Sequence, residues 1–480
     1  MATKTLSVST FSGGLADDNK LGIKGSFYFG EHLNIYDHTS QLTILPKSAK
    51  VSSTVVLGLI KWIVDGRPFI DARFAYDDGG RIYKEDSNGD WSLLQTTSSS
   101  HGQGLEVFDN YLYYVQDTQV GRYGPLDGSA AFDDDWQTGL NDTSSIGFAP
   151  VKAFLTGVVI GHGDQLAYWD GSVFSATTLQ FLSNANVRAL ETLDEFLVIG
   201  TFRGTDITDN QDGFLYYWDG ASTSFNYFSQ VKEGGVAALT TSKGRIFSIL
   251  GSSGSLFMNY QPFNLVQQLP NVTVNDYVDI YPGAISNYHN RVFIGAAANT
   301  NSTSFKHGLY EWGSKGDRYQ EVLNYSHTIS TGSTTGTTVK IGAVAGFGDD
   351  LYFSWRDGST YGVDKVNRAN DPYASAQWES LIFGQVYRDN KATAVKVTHL
   401  PLVNGESIEV GYKINRAASY TTTTNSTVGD TETRLPMPVG SDKYREIQLE
   451  CTLATSGSTS PTVTSISMEF DDLADDKGAF

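Results

Sequence analysis

Cysteine is almost missing from this chain of 480 residues: Cys451 stands alone, so no internal disulfide can form. Cys451 lies within an alternating apolar stretch, which points to a buried core position. Long apolar runs are missing too. None approaches the ~20 residues of a spanning helix, and the start, MATKTLSVSTFSGGL, lacks the apolar core of a secretory signal. The expectation is a protein folded in a cytoplasm without membrane insertion. Charge is scarce at 18% and one-sided, with 34 Lys and Arg against 53 Asp and Glu and a formal net charge of −19. No contiguous basic cluster or basic aromatic stripe occurs. Free nucleic acid and anionic membrane surfaces, both of which are held by cations, are therefore poor partners.

Catalytic signatures are equally sparse. There is no Gly-x-x-x-x-Gly-Lys, His-Glu-x-x-His or Gly-x-Ser-x-Gly. Gly161-His162-Gly163 lacks the third glycine of a dinucleotide loop and precedes a strand. Asp86-Ser87-Asn88-Gly89-Asp90-Trp91 departs from the spacing of a sialidase Asp-box and reads as a hairpin turn before a packed Trp. The eight histidines show no metal spacing. The reading is a non-enzyme without a cofactor.

What the chain does have is a repeat. Helical periodicity is rare, and alternation rich in Thr, Val, Tyr and Gly indicates an all-β protein. An alternating strand, a tight polar turn, an answering strand and an aromatic strand recur seven times. The clear copies begin at Val187, Val236, Ala284 and Ile341, and fainter ones at Leu57, Leu105 and Val151. The turns fall at Asp65, Asp109, Thr156, Asp194, Lys243, His289 and Asp349. This period of roughly 40 to 60 residues matches a β-propeller of about seven blades. Aromatic strands follow each turn, two of them ending in Trp-Asp-Gly (Trp169-Asp170-Gly171 and Trp218-Asp219-Gly220). A further aromatic comes later in each repeat: Trp91, Trp136, Phe174, Phe225, Phe263, Tyr319 and Trp378. These rings are expected to wedge between neighbouring blades.

The rhythm defines the expected domains: an N-terminal arm over residues 1–50, the propeller over 51–383, a C-terminal antiparallel β-sandwich over 384–470 and an acidic tail over 471–480. Sandwich strands are read at Ala394–Val397, Ser407–Tyr412, Glu446–Glu450 and Val463–Met468. Residues 42–51 are candidates to supply a closing strand to the first blade. Asp206, Asp209, Asn210 and Asp212 gather oxygen donors between two strands, which makes the three aspartates candidate ligands of a structural Ca²⁺, although the closing Glu of an EF-hand is absent.

The arm reads Phe11-Ser12-Gly13-Gly14-Leu15-Ala16-Asp17-Asp18, then Phe27-Tyr28-Phe29, Leu33-Asn34-Ile35-Tyr36 and Leu42-Thr43-Ile44-Leu45-Pro46. This order resembles the opening of tailed-bacteriophage virion proteins, in which a Phe-x-Gly-Gly-Leu start leads through Asn-Leu/Ile and Leu-Pro or Arg-Pro-Gly phrases into a propeller. Leu45-Pro46-Lys47 stands where one variant has Arg-Pro-Gly. The propeller with a Thr/Ser-rich sandwich also looks like phage tail and tail-adaptor components. The resemblance implies a structural protein of the virion (tail, tail-tip or neck), assembled in the host cytoplasm, with other virion proteins and copies of itself as partners. Phe11, Phe27, Tyr28, Phe29 and Tyr36 are the expected subunit-interface residues; the alternative is an arm that latches onto its own propeller and closes the ring. Two other readings stay open: a carbohydrate-binding propeller acting as lectin or adhesin on a host surface glycan, and a cellular scaffold propeller.

Overall fold

The computed structural model describes the chain except for residues 1–3, 17–19, 21–23, 52–55, 87–88, 100, 210, 232, 260–263, 270–277, 299–304, 315–319, 335–337, 385–389, 439–442 and 471–480. Phe263, Tyr319 and the acidic tail thus lie outside the described residues. The chain forms two compact units. One comprises Ser48–Leu309 and Thr328–Asn367, the other Met1–Lys47, Tyr310–His327 and Arg368–Phe480.

The first unit is built on local hairpins. The first blade takes Ile60–Asp65, Arg73–Asp77, Arg81–Glu85 and Trp91–Thr96 in order; the second takes Gly104–Phe108, Tyr111–Gln116, Gln119–Gly124 and Ala131–Thr138. The third and fourth repeat the pattern from Val151–Phe154 to Phe174–Gln180 and from Ala185–Leu193 to Tyr227–Val231; the fifth runs from Val236–Ser242 to Asn264–Gln268. In the sixth, Val278–Asp279 and Ile285–Tyr288 share the partner Arg291–Ala298, and the sheet order continues with Gly308–Gly313. The seventh has Val339–Phe347, Asp350–Asp357 and Thr360–Asn367, with Ala49–Lys50 as its outer strand. Innermost strands touch in sequence around the circle, and the seventh meets the first. The protein is a seven-bladed β-propeller with a sandwich, as its repeats indicate.

Four inner hairpins turn on the residue the sequence marks, and those of the third and seventh blades turn one residue earlier. Asp109, Leu155, Asp194, Lys243 and His289 have positive φ, and Gly348 takes that place in the seventh blade. Tight turns in twisted hairpins demand this backbone region. The first blade departs, with a longer connection over residues 66–72. The closing strand also goes elsewhere than expected: Ala49–Lys50 pairs with Lys365 and Asp364 of the seventh blade, and the Val51 amide donates to the Val363 carbonyl. The core lies between blades. Trp218 joins Phe154 and Tyr168 between the third and fourth, Tyr113 joins Trp136 and Trp169 between the second and third, and Trp355 packs with Phe293 and Ile341 between the sixth and seventh. Each such ring buries on the order of 150–250 Å². Gly161, Gly200 and Gly295 make room for the next blade. A Cβ there would stand 2.3, 2.6 and 2.3 Å from Val187, Val236 and Ile341.

The second unit contains two packed antiparallel sheets. One has the order Lys4–Val8, Val463–Phe470, Ala394–His399, Glu432–Pro436. The other runs Phe27–Glu31, Ser375–Ser380, Glu446–Thr455, Glu406–Ile414, Thr421–Asn425, with Phe383–Gly384 also on Glu446–Thr455. The four sandwich strands read from the sequence are present, and Cys451 is buried on one of them. Two assignments need correction. Residues 1–50 are not a separate arm, since two of their strands are edge strands of the sandwich sheets and a third closes the ring. The sandwich begins before residue 384, because Ser375–Ser380 is one of its inner strands. Trp378 lies on that strand, so it is not the outer aromatic of the seventh blade. The physical reason is shared: these strands are short, and each pairs with strands far along the chain.

Candidate functional site

The expected interface aromatics serve the second unit's own core. Phe11, Phe27 and Tyr36 are buried, whereas Tyr28 and Phe29 are half-buried. Phe11 meets Trp378 edge-on, with centroids 6.0 Å apart. The Tyr36 hydroxyl donates to the carbonyls of Glu311 and Val322, each at 2.9 Å. The Gly13-Gly14 pair is a close-approach element. Gly14 has φ +66°, and a Cβ there would stand 2.6 Å from the Leu323 carbonyl oxygen, the acceptor of the Leu15 amide. Tyr28 lines a surface pocket with Ile382, Lys413 and Arg416. Beside it, hydrogen bonds from Arg416 and Lys20 hold Glu446 down to about 2. As interface candidates, Phe11, Phe27 and Tyr36 are therefore corrected to core residues: an aromatic phrase in a chain that looks like an arm is still buried when its strands find partners.

The acidic loop is occupied by its own chain. The Asp209 carboxylate accepts the amides of Thr205 and Asp206 at 2.9 and 3.1 Å, which holds its pKa below the usual range. Asp212 pairs with Arg203 at 3.2 Å and accepts from Gln230. Asp206 is an electrostatic neighbour of Arg188. Among the described residues no group of three or more His, Cys, Asp or Glu could hold a metal ion, and Asn210 lies outside them. The expected Ca²⁺ cage is not formed by these residues: Asp209 already caps its own turn and Asp212 already pairs with Arg203.

The charges that converge are elsewhere, on the innermost strands of the propeller. Lys61 and Arg188 each sit where the register slips on an innermost strand, between Ile60 and Trp62 in the first blade and between Val187 and Ala189 in the fourth. A bulge re-aims its extra side chain away from the alternating pattern. These two blades stand across the ring from each other, yet both cations reach one ring. The Lys61 ammonium is 4.9 Å and the Arg188 guanidinium 4.6 Å from the centroid of Phe148, a residue of the connection between the second and third blades. Tyr281, from the sixth repeat, meets Phe148 edge-on at 5.8 Å. Lys61 donates to the Gly147 carbonyl at 3.2 Å, and Arg188 donates to the carbonyls of Ala237 and Ile280 at 3.1 and 3.0 Å. Lys340, on the innermost strand of the seventh blade, pairs with Asp279 at 2.9 Å.

Lys152 shows what compensation looks like. It follows Val151 as Lys61 follows Ile60, but it pairs with Glu191 at 2.9 Å and feels Glu106 as well. Burial opposes its charge, and the two carboxylates outweigh burial and raise its pKa. For Lys61 the balance runs the other way. Burial lowers its pKa, Arg188 adds to this, and Asp78, Asp279 and Asp77 offset only part. Sequence reading missed the cluster because its members lie in different repeats. Superposing the repeats exposes the signal: Ile60-Lys61, Val187-Arg188 and Val339-Lys340 each set a cation after an apolar residue near the start of an innermost strand.

No family model matches the chain, and no curated protein matches its sequence. Among solved structures it is similar to the WD40 β-propeller domain of Doa1, at 11% identity over 68% of this chain and 97% of that one, with a TM-score of 0.44. Raptor of Chaetomium thermophilum is similar at 11% identity, over 68% of this chain and 30% of that one, with a TM-score of 0.49. The Neurospora crassa Pan2 WD40 domain is similar at 8% identity, over 68% and 95%, with a TM-score of 0.42. The propeller assignment itself stands on the sheet order.

Proposed function

We propose that this protein is a non-catalytic scaffold for protein–protein interaction, and specifically a structural component of a tailed-bacteriophage virion. The order of phrases from Phe11-Ser12-Gly13-Gly14-Leu15 through Leu45-Pro46 into a propeller carries the virion reading. Its support in three dimensions is that the Gly-Gly phrase is a tightly packed element, where added side chains would collide with Ser26 and Leu323. A phrase of this kind marks architecture. The scaffold reading is supported by how the charged groups are used. Asp77 binds Arg81, Tyr83 and two backbone amides; Glu85 binds Arg73 and Tyr352; Asp364 binds Ser330 and Trp355. Rings are used the same way, since each of the eight tryptophans is buried or half-buried and none offers a fully exposed stacking face of the kind that suits sugars. The partners in this reading are other virion proteins and copies of the chain itself.

The test is to map the genes beside its coding sequence and to label purified particles with an antibody to the protein. Portal, capsid or tail genes alongside, together with labelled particles at a fixed position, are expected. Neighbours of cellular metabolism and unlabelled particles would refute the virion reading and leave the scaffold alone.

A further inference from the structure

Two buried cations on the innermost strands of the propeller have no carboxylate of their own. Arg188 is 4% and Lys61 9% exposed, and among the described residues neither makes an ion pair. Burying a charge without a partner is costly, and proteins as a rule supply a counter-charge. Here the local carboxylates are already shared. Asp279 is bound by Lys340, and Asp78 accepts the Leu59 amide and lies in the field of Arg356 as well as Lys61. Asp77 and Asp206 also act on Lys61 and Arg188, but neither pairs with them, and Asp77 is bound by Arg81 and Tyr83.

The donors are also unspent. A guanidinium offers five N–H groups and an ammonium three. Arg188 uses its Nε and Nη2 on two carbonyls, and Lys61 uses one donor on Gly147. Among the described residues the Nη1 of Arg188 has no hydrogen-bond partner, and it is not sealed from solvent. Both groups are held against the Phe148 ring. A rigid fork beside an ammonium suits a group with two or more anionic oxygens.

We propose that Lys61 and Arg188 together bind an oxyanion, a carboxylate or phosphate group. The site is independent of the virion reading and holds for any scaffold built on this ring. The oxyanion supplies the counter-charge that Lys152 receives from Glu191, and it neutralises the mutual repulsion of the two cations.

The test is a calorimetric titration with inorganic phosphate and, separately, with acetate, each at constant ionic strength against chloride, on the full chain and on Lys61→Met and Arg188→Lys. Saturable binding of at least one anion by the native chain is expected, weakened at least tenfold by either substitution. Phosphate binding alone assigns a phosphoryl ligand, and acetate binding assigns a carboxylate. Melting supplies the second readout. In chloride Lys61→Met melts no lower than the native chain, because it removes an uncompensated charge, whereas saturating anion raises the Tm of the native chain only. No saturable binding by the native chain, or equal binding by Lys61→Met, overturns the proposal. Should Arg188→Lys fail to fold, the Lys61→Met comparison decides alone.

Discussion

The two units use the same strand-rich material under opposite rules of assembly. In the propeller, blades one to five each take four consecutive strands, and only the seventh borrows a strand from far upstream. In the sandwich, each sheet opens on a strand from the first 31 residues and is completed by strands beyond residue 374. Closing a hairpin orders a few residues, whereas pairing Lys4–Val8 with Val463–Phe470 joins the two ends of the chain, and its loop-closure entropy has no local reward. The propeller is therefore specified repeat by repeat, and the sandwich by the chain as a whole.

The largest effect expected from this contrast concerns an isolated fragment. Residues 384–480 alone lack Ser375–Ser380 and both N-terminal edge strands, so the fragment should be unfolded by circular dichroism. A cooperative melt would break the contrast. Next, Phe11→Ala empties a fully buried site against Trp378 and should cost about 3–5 kcal/mol. Chemical denaturation should show that loss in the transition that reports the sandwich. Within the propeller, Val51→Pro removes the amide bond to Val363 beside the closing strand, and a loss of about 1–3 kcal/mol is expected in the propeller transition.

Per pH unit the effects are at most about 1.4 kcal/mol, and they separate the units by sign. In the sandwich unit, burial and then His32 push His327 from 6.5 down to about 3. Its unfolded form binds more protons across that window, so stability is full above about 6.5 and falls as pH drops toward about 3. In the propeller, burial pushes Asp364 up to about 6 from 3.8, against hydrogen bonds from Ser330 and Trp355. Its folded form binds more protons, so stability falls as pH rises from about 4 to about 6. His327→Phe should flatten the first slope and Asp364→Asn the second. Melts followed at several pH values would show whether each substitution affects its own unit.

Legibility in the sequence follows the same division. Turns at Asp109, Asp194, Lys243 and His289 were readable because a strained backbone position leaves a local mark. The four C-terminal sandwich strands were readable from alternation. Lys4–Val8 and Phe27–Glu31 were not, since a short strand among glycines looks like an arm until its partner is known. The inner-strand cations escaped for a related reason. Lys61, Arg188 and Lys340 are isolated along the chain and become neighbours only when the ring closes. The acidic loop drew attention through its composition, yet its carboxylates turn inward to its own amides and to Arg203.

Hydrogen exchange on the full chain and on a form lacking residues 2–30 tests the central claim most directly. Loss of both edge strands and of Phe11 and Phe27 should accelerate exchange across Ser375–Ser380, Glu446–Thr455 and Val463–Phe470 while the hairpins of blades one to five stay protected. Unchanged protection in the sandwich strands, or equal loss in both units, would contradict the account.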